Sequence, residues 1–118
     1  WQDVQGIYTR NSKGSGSWEW VNGGTPESWH VSHGSLNILV KPTSFGHLGF
    51  FAEQNANWQW LKEQVFQSKT AIETMNLFAY SGGSSMAMAE AGAKTTHLDA
   101  AKGMNAWGQE ILALNPKG

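Results

Sequence analysis

Two glycines, Gly82 and Gly83, are followed by an acid, Asp99, seventeen positions after the first of them. Glycines at a strand end let backbone approach a ligand without a side chain in the way. An ionised carboxylate accepts hydrogen bonds from two neighbouring hydroxyls, such as those of a ribose, and has no donor to leave unmet. The surrounding stretch, residues 75–99 (MNLFAYSGGSSMAMAEAGAKTTHLD), holds the elements that would position these groups. An apolar run over 75–78 stops at Ser81-Gly82-Gly83-Ser84. A small-residue segment over 85–91 is closed by Gly92, and a second short run over 95–98 ends on Asp99. Strand, glycine turn, helix, strand, acid is the front half of a nucleotide-binding βαβ unit. In such units, ligands sit at the carboxyl ends of parallel strands. The helix start near Ser84 and Ser85 would add free amide donors. Asp99 before Ala100-Ala101 is also a reasonable helix cap, and one carboxylate can serve both purposes.

The glycine spacing narrows the ligand. A phosphate-binding loop ends in Gly-Lys-Ser/Thr, which is absent. The dinucleotide fingerprint needs Gly-x-Gly-x-x-Gly, whereas the run here is Gly82-Gly83-Ser84-Ser85-Met86-Ala87. S-adenosylmethionine carries no phosphate, so it requires a close-approach turn and not a phosphate cradle. The Gly-Gly turn followed by Asp99 suits that cofactor better than a nucleotide triphosphate or a nicotinamide dinucleotide.

Around this stretch the chain divides into a β-rich N-terminal part, 1–54, and a helix-containing part, 55–118. In the first part, strands are expected over 6–10, 18–21, 29–32 and 36–40, with loops at 11–17 and 22–28. Trp18 and Trp20 share one strand face, and Lys41-Pro42 stops the last strand. Residues 45–54 (FGHLGFFAEQ) combine Gly46 and Gly49 with Phe50 and Phe51, and read either as an ordinary strand and turn or as a lid over a neighbouring pocket. A helix over 56–67 presents Trp58, Leu61 and Val65 on one face. Trp60 lies off that stripe and is expected to cover the junction with the β-rich part. The last helix, 101–114, carries Met104, Trp107, Ile111 and Leu114 in one stripe. It is expected to pack on the sheet begun by the strands before Asp99.

Composition bounds the rest. With 118 residues, 40% hydrophobic and 14% charged, the chain can build one modest core. A net charge of −1 and a single arginine, Arg10, give no strongly basic face of the kind a self-sufficient nucleic-acid binder carries. No apolar run is long enough to span a bilayer, so no membrane partner is expected. No cysteine is present, which removes thiolate chemistry and fits a cytoplasmic setting. His30 and His33, three apart on a strand, point to opposite faces, so no metal is expected. His97 and the methionines Met86 and Met88 are expected to be packed. The chain opens on Trp1 without a signal-peptide pattern, and its last helix pattern runs nearly to Gly118. Both features suggest a segment of a longer protein.

Residues 76–107 (NLFAYSGGSSMAMAEAGAKTTHLDAAKGMNAW) resemble the cofactor-binding region of class I S-adenosylmethionine-dependent methyltransferases. The resemblance is to the branch that includes the 23S ribosomal RNA cytosine-C5 methyltransferases. There the motif reads Asn-Leu-Phe-Ala-Tyr-Thr-Gly-Gly, with Ser81 standing here at the threonine position. Asp99-Ala100-Ala101-Lys102 matches the acid, small residue and lysine that follow. Residues 46–54 resemble the element ending in Asp/Glu-Gln ahead of that domain, although Asn55 stands where an arginine often follows. The resemblance implies an α/β fold, the start of a Rossmann-like class I methyltransferase sheet preceded by a small β-rich subdomain. It further implies that Tyr80, Ser81, Gly82 and Gly83 line the methionine side of S-adenosylmethionine, that Asp99 holds the ribose, and that Ala100 lies beside the adenine. Phe51 and Gln54 would close the pocket, and the partner would be an RNA substrate such as rRNA. The family's Asp-Pro-Pro motif and the cysteine of its cytosine-C5 members are absent. Little or no turnover is therefore expected of these 118 residues alone.

A different class of reading rests on the seven tryptophans. Trp18, Trp20 and Trp29 could form a Trp-rich β-module that binds glycan or RNA by stacking, with the C-terminal half as scaffold. Large aromatics also fill the core of a small β-rich unit efficiently.

Overall fold

The computed structural model describes residues 3–116; Trp1 and Gly118 lie outside them. Two antiparallel hairpins come first. Strand β1 (Gly6–Arg10) pairs with β2 (Gly16–Trp20), with Gly6 opposite Trp20. Strand β3 (Trp29–His33) pairs with β4 (Leu36–Val40), with Trp29 opposite Val40. The first loop is shorter than expected. Asn11 donates through its amide to the Ser15 carbonyl and through its side chain to the Ser15 hydroxyl, so β2 starts at Gly16. A single 3-10 turn, Ala52–Gln54, leads directly into helix α1 (Asn55–Gln67). Then follow β5 (Glu73–Leu77), α2 (Gly83–Glu90), β6 (Lys94–Leu98) and α3 (Lys102–Leu114). Strands β5 and β6 are parallel and in register from Glu73–Lys94 to Leu77–Leu98.

Helix α2 is set by its ends. Its N-cap, Gly82, has φ 102°, and Gly92 beyond its C-terminus has φ 101°. The Gly92 amide donates to Ala89 and the Ala93 amide to Met88, the paired bonds of a Schellman motif. Met88 and Ala93 also touch, and with Val65 of α1 they form one small core against which Leu61 and Ile72 pack. An ion pair between Lys62 and Glu90 joins the same two helices.

The larger core lies between the second hairpin and the C-terminal helix. Leu36, Ile38, Leu39 and Val40 of β4 meet Met86 of α2 and Trp107 and Ile111 of α3. The apolar stripe of α3 therefore faces β4, not the β5–β6 sheet that the sequence pointed to. The Trp107 indole N–H donates to the Leu39 carbonyl at 2.9 Å, and α3 passes the His97 ring of β6 at Gly108. Buried Asn115 fixes the far end. It exchanges side-chain hydrogen bonds with both backbone groups of Asn37 and donates to the Ile111 carbonyl. That bonding, together with Pro116, ends the helix.

The tryptophans of the first part pack on one another. Trp18 and Trp20 stack at 5.5 Å, flanked by Tyr8 at 5.2 Å from Trp18 and by Trp29 at 5.9 Å from Trp20. The Tyr8 hydroxyl donates to Ser44 O and the Trp18 indole N–H to Thr43 O. This aromatic row thus anchors the start of the 45–54 segment. Trp60 is 57% exposed and does not cover the junction; Trp58, buried one turn-face away, does so instead.

Candidate functional site

The turn after β5 has an unusual backbone. Residues 78, 80 and 82 all have positive φ, at 54°, 54° and 102°, and only the last is glycine. A left-handed residue at every second position swings the chain from the strand into α2. The turn is tied on both sides. The Ala79 amide donates to Leu98 O, extending the β5–β6 ladder by one bond, and the Gly82 amide donates back to Ala79 O. Buried Ser81 donates its hydroxyl to Gly49 O at 2.5 Å, which clamps the 45–54 segment onto the turn.

Asp99 connects the same turn to the start of α3. One carboxylate oxygen accepts from the Tyr80 amide at 2.9 Å and the other from the Ala101 amide at 2.8 Å. These bonds, the Ala101 one first, hold its carboxyl below the usual 3.8 and keep it ionised at neutral pH. The N-cap position of α3 is Ala101, not Asp99, so the acid acts two residues ahead of the helix. Each oxygen accepts one bond here and has capacity for another, so the carboxylate can also receive hydroxyl donors. Burial pushes the Tyr80 phenol above its usual value.

These elements enclose a cavity of about 230 Å³. Phe51, Gln54, Tyr80, Ser81 and Gly83 of the sequence-predicted residues line it. Gly82, Asp99 and Ala100 are not among its lining residues: Gly82 is buried within the turn, and Asp99 and exposed Ala100 follow β6, with Asp99 tied to the turn through the Tyr80 amide. Phe51 and Tyr80 pack with ring centres 5.0 Å apart, so the 45–54 segment lies against the turn. No charged side chain is among the lining residues.

Sequence reasoning passed over several wall residues. Trp58 is the main one: it packs against Phe50 and His33, and its indole N–H donates to the Ser84 hydroxyl at 3.2 Å. It also explains Gly83. A Cβ there would fall 2.5 Å from the Trp58 ring, so the glycine makes room for the indole. Asn76 lies behind the turn and donates to Ser85, whose hydroxyl meets His97 Nδ1 at 3.0 Å. Leu36 and Ile38 come from the second hairpin, 40 or more positions from the turn they face, and no local pattern announces that contact. His47 is exposed at the rim, 6.5 Å from Phe51. Among the described residues no cluster of three acid, histidine or cysteine side chains could hold a metal, and no helix is long and apolar enough to cross a membrane.

No family model and no curated protein matches the sequence. Solved structures do match. The S-adenosylmethionine-dependent methyltransferase from Agrobacterium tumefaciens aligns over 99% of this chain with a TM-score of 0.91 and 35% identity. A protein from Streptococcus mutans with a provisional designation as such a methyltransferase aligns over 98% of the chain, at TM-score 0.76 and 22% identity. Another protein provisionally designated a methyltransferase, solved in complex with SAH, aligns over 98% at TM-score 0.72 and 21% identity. The last two likenesses show the fold. The chain spans 37% of the length of the Agrobacterium protein and 30% of each of the others.

Proposed function

We propose that these residues form the cofactor-binding portion of an S-adenosylmethionine-dependent methyltransferase whose methyl acceptor is RNA, such as a cytosine of 23S rRNA, in the cytoplasm. The observation that carries the reading is the Tyr80–Asp99 arrangement. A glycine-containing turn and an ionised carboxylate stand side by side at the carboxyl ends of two parallel strands, bonded through the Tyr80 amide. The 35% identity to the Agrobacterium methyltransferase over nearly the whole chain supports the same reading.

The residues fit this cofactor. The free amides at the start of α2, which no side chain caps, suit the methionine carboxylate. Asp99 suits the ribose hydroxyls, and the uncharged, aromatic-walled cavity suits a ligand without phosphate. Tyr80, Ser81, Gly82 and Gly83 would hold the methionine side, Ala100 would lie along the adenine, and Phe51 and Gln54 would cover it. When bound, the cofactor supplies an electrophilic methyl group on sulfonium. This chain's contribution is to orient it and to exclude water beneath the Phe51–Tyr80 closure.

In this reading, 1–54 is a β-rich subdomain that supplies the closing segment and 55–118 is a partial Rossmann-like domain. The cytosine-C5 reaction needs a thiolate to add to the base, and this sequence has no cysteine. We therefore expect binding without turnover. The test is calorimetric titration with SAH. Saturable binding is expected, weakened about 10- to 100-fold by Asp99→Ala, the effect of losing charge-assisted hydrogen bonds. No binding to the unaltered chain, or an Asp99→Ala affinity equal to it, would sink the proposal.

A further inference from the structure

The His97 ring occupies a slot between two glycines. A Cβ on Gly82 would fall 3.3 Å from its Cε1, and a Cβ on Gly108 of α3 would fall 3.4 Å from Cε1 and from Nε2. The ring thus fills the space between the turn and α3. Packing alone does not call for a histidine there. Nε2 is buried with no hydrogen-bond partner among the described residues, which is unfavourable for a polar atom. A leucine would occupy the slot without that cost. What a hydrocarbon side chain lacks is the other nitrogen. Nδ1 meets the Ser85 hydroxyl at 3.0 Å, and the same hydroxyl accepts from Asn76 Nδ2 at 3.0 Å. One polar line therefore joins β5, α2 and β6 behind the turn.

Ser85 is where that line bears on the site. The first backbone bond that closes α2 runs from the Met86 amide to Gly82 O, so the amides of Gly83, Ser84 and Ser85 precede it. No side chain caps this end. The first turn is instead held by its own two hydroxyls. Ser84 accepts from the Trp58 indole of α1, and buried Ser85 is bonded to His97 and Asn76. Gly83 and Ser84 line the cavity, whereas Ser85 and His97 do not. We propose that His97 is a positioning residue for the cofactor: its bond to Ser85 orients the first turn of α2 so that the free amides face the methionine carboxylate. This rests on the methyltransferase reading given above. His97 touches no part of the cofactor and acts through Ser85.

The test is calorimetric titration of His97→Leu, His97→Asn and Ser85→Ala with SAH, beside thermal unfolding of each. His97→Leu and Ser85→Ala are each expected to weaken SAH binding about 3- to 10-fold, the effect of one lost hydrogen bond. The Tm of His97→Leu should stay within a few degrees of the unaltered chain, because the slot stays filled and the unpaired nitrogen is gone. His97→Asn keeps a polar atom near the position of Nδ1 and should restore most of the affinity, although it fills the slot less well. A packing role alone gives the reverse order, with leucine binding SAH better than asparagine. Ser85→Ala combined with His97→Leu should bind no more weakly than Ser85→Ala, because both remove the same bond. The proposal is overturned if asparagine binds no better than leucine, or if the two losses add. Should His97→Leu not fold, Ser85→Ala decides: SAH affinity equal to that of the unaltered chain overturns the proposal. Failure of SAH to bind the unaltered chain strikes the methyltransferase reading itself. Intact SAH binding that is indifferent to both His97 and Ser85 strikes this inference alone.

Discussion

Gly49→Ala should be among the most damaging single-methyl changes in this protein. Gly49 has φ +79°, is buried, and offers its carbonyl to the Ser81 hydroxyl. A Cβ there would fall 2.1 Å from Cζ2 and 2.4 Å from Cη2 of Trp107. The indole has little freedom to retreat, because it is 5% exposed, packs with Ile111 and Met86, and donates to Leu39 O. The left-handed backbone costs an alanine about 1–2 kcal/mol. Overpacking a filled core costs about 1–3 kcal/mol more. The sum, about 2–5 kcal/mol, is a large share of the stability of a domain this size and corresponds to a Tm lower by about 10–30 °C. Gly14→Ala separates the two contributions. Gly14 has φ +85° but nothing within 4 Å of the added carbon, so only the backbone cost applies. Denaturant unfolding of both variants checks the reasoning. If Gly49→Ala loses no more stability than Gly14→Ala, the close packing of Trp107 under the 45–54 segment is wrong.

Ser81→Ala should cost about 1–3 kcal/mol, because it leaves the Gly49 carbonyl without its hydroxyl donor. Hydrogen exchange should quicken at the Lys41 and Thr43 amides, which bond across the base of the same segment; unchanged protection there would mean that the clamp is not what holds it. Asp99 also sets a pH dependence. Its folded pKa lies below the ordinary value, so its stabilising contribution is complete above that value and is lost as pH falls through the lower, folded one. Thermal unfolding between about pH 5 and pH 2 should therefore be less steep in Asp99→Asn than in the unaltered chain; equal slopes would count against the two amide bonds.

The periodicities in the sequence identify the faces. Alternation in GSWEW puts Trp18 and Trp20 on one side of β2, and both are half-buried there. The stripes Trp58–Leu61–Val65 and Met104–Trp107–Ile111–Leu114 are the packed sides of α1 and α3. The strand–turn–helix–strand order, with the acid at its end, is likewise the arrangement found. What the pattern leaves open is the partner of each face. The α3 stripe could as well have met β5 and β6, and it met β4, where Leu36, Ile38 and Val40 are apolar, whereas the inner side of the two parallel strands carries Thr74, Asn76, Thr95 and His97. Periodicity puts Trp58 on the packed stripe and Trp60 off it; only the docking of α1 beside Gly83 decided that the Trp58 indole enters the cavity wall.

For the turn at the centre of the candidate site, the placement of Gly82, Gly83 and Asp99 at neighbouring strand ends was legible from residue type and spacing alone. A strand end, a glycine and an acid at the next strand end admit few other arrangements. The left-handed backbone at Phe78 and Tyr80 was not legible, because aromatic residues do not choose it by themselves. It is imposed by bonds to Leu98 and Asp99, residues some twenty positions further along the chain. The sequence by itself determined that a glycine turn and an acid stand at neighbouring strand ends. Tertiary structure decided which wall they face, which ring closes the cavity and which stays outside, because those choices depend on contacts between segments that local propensity does not encode.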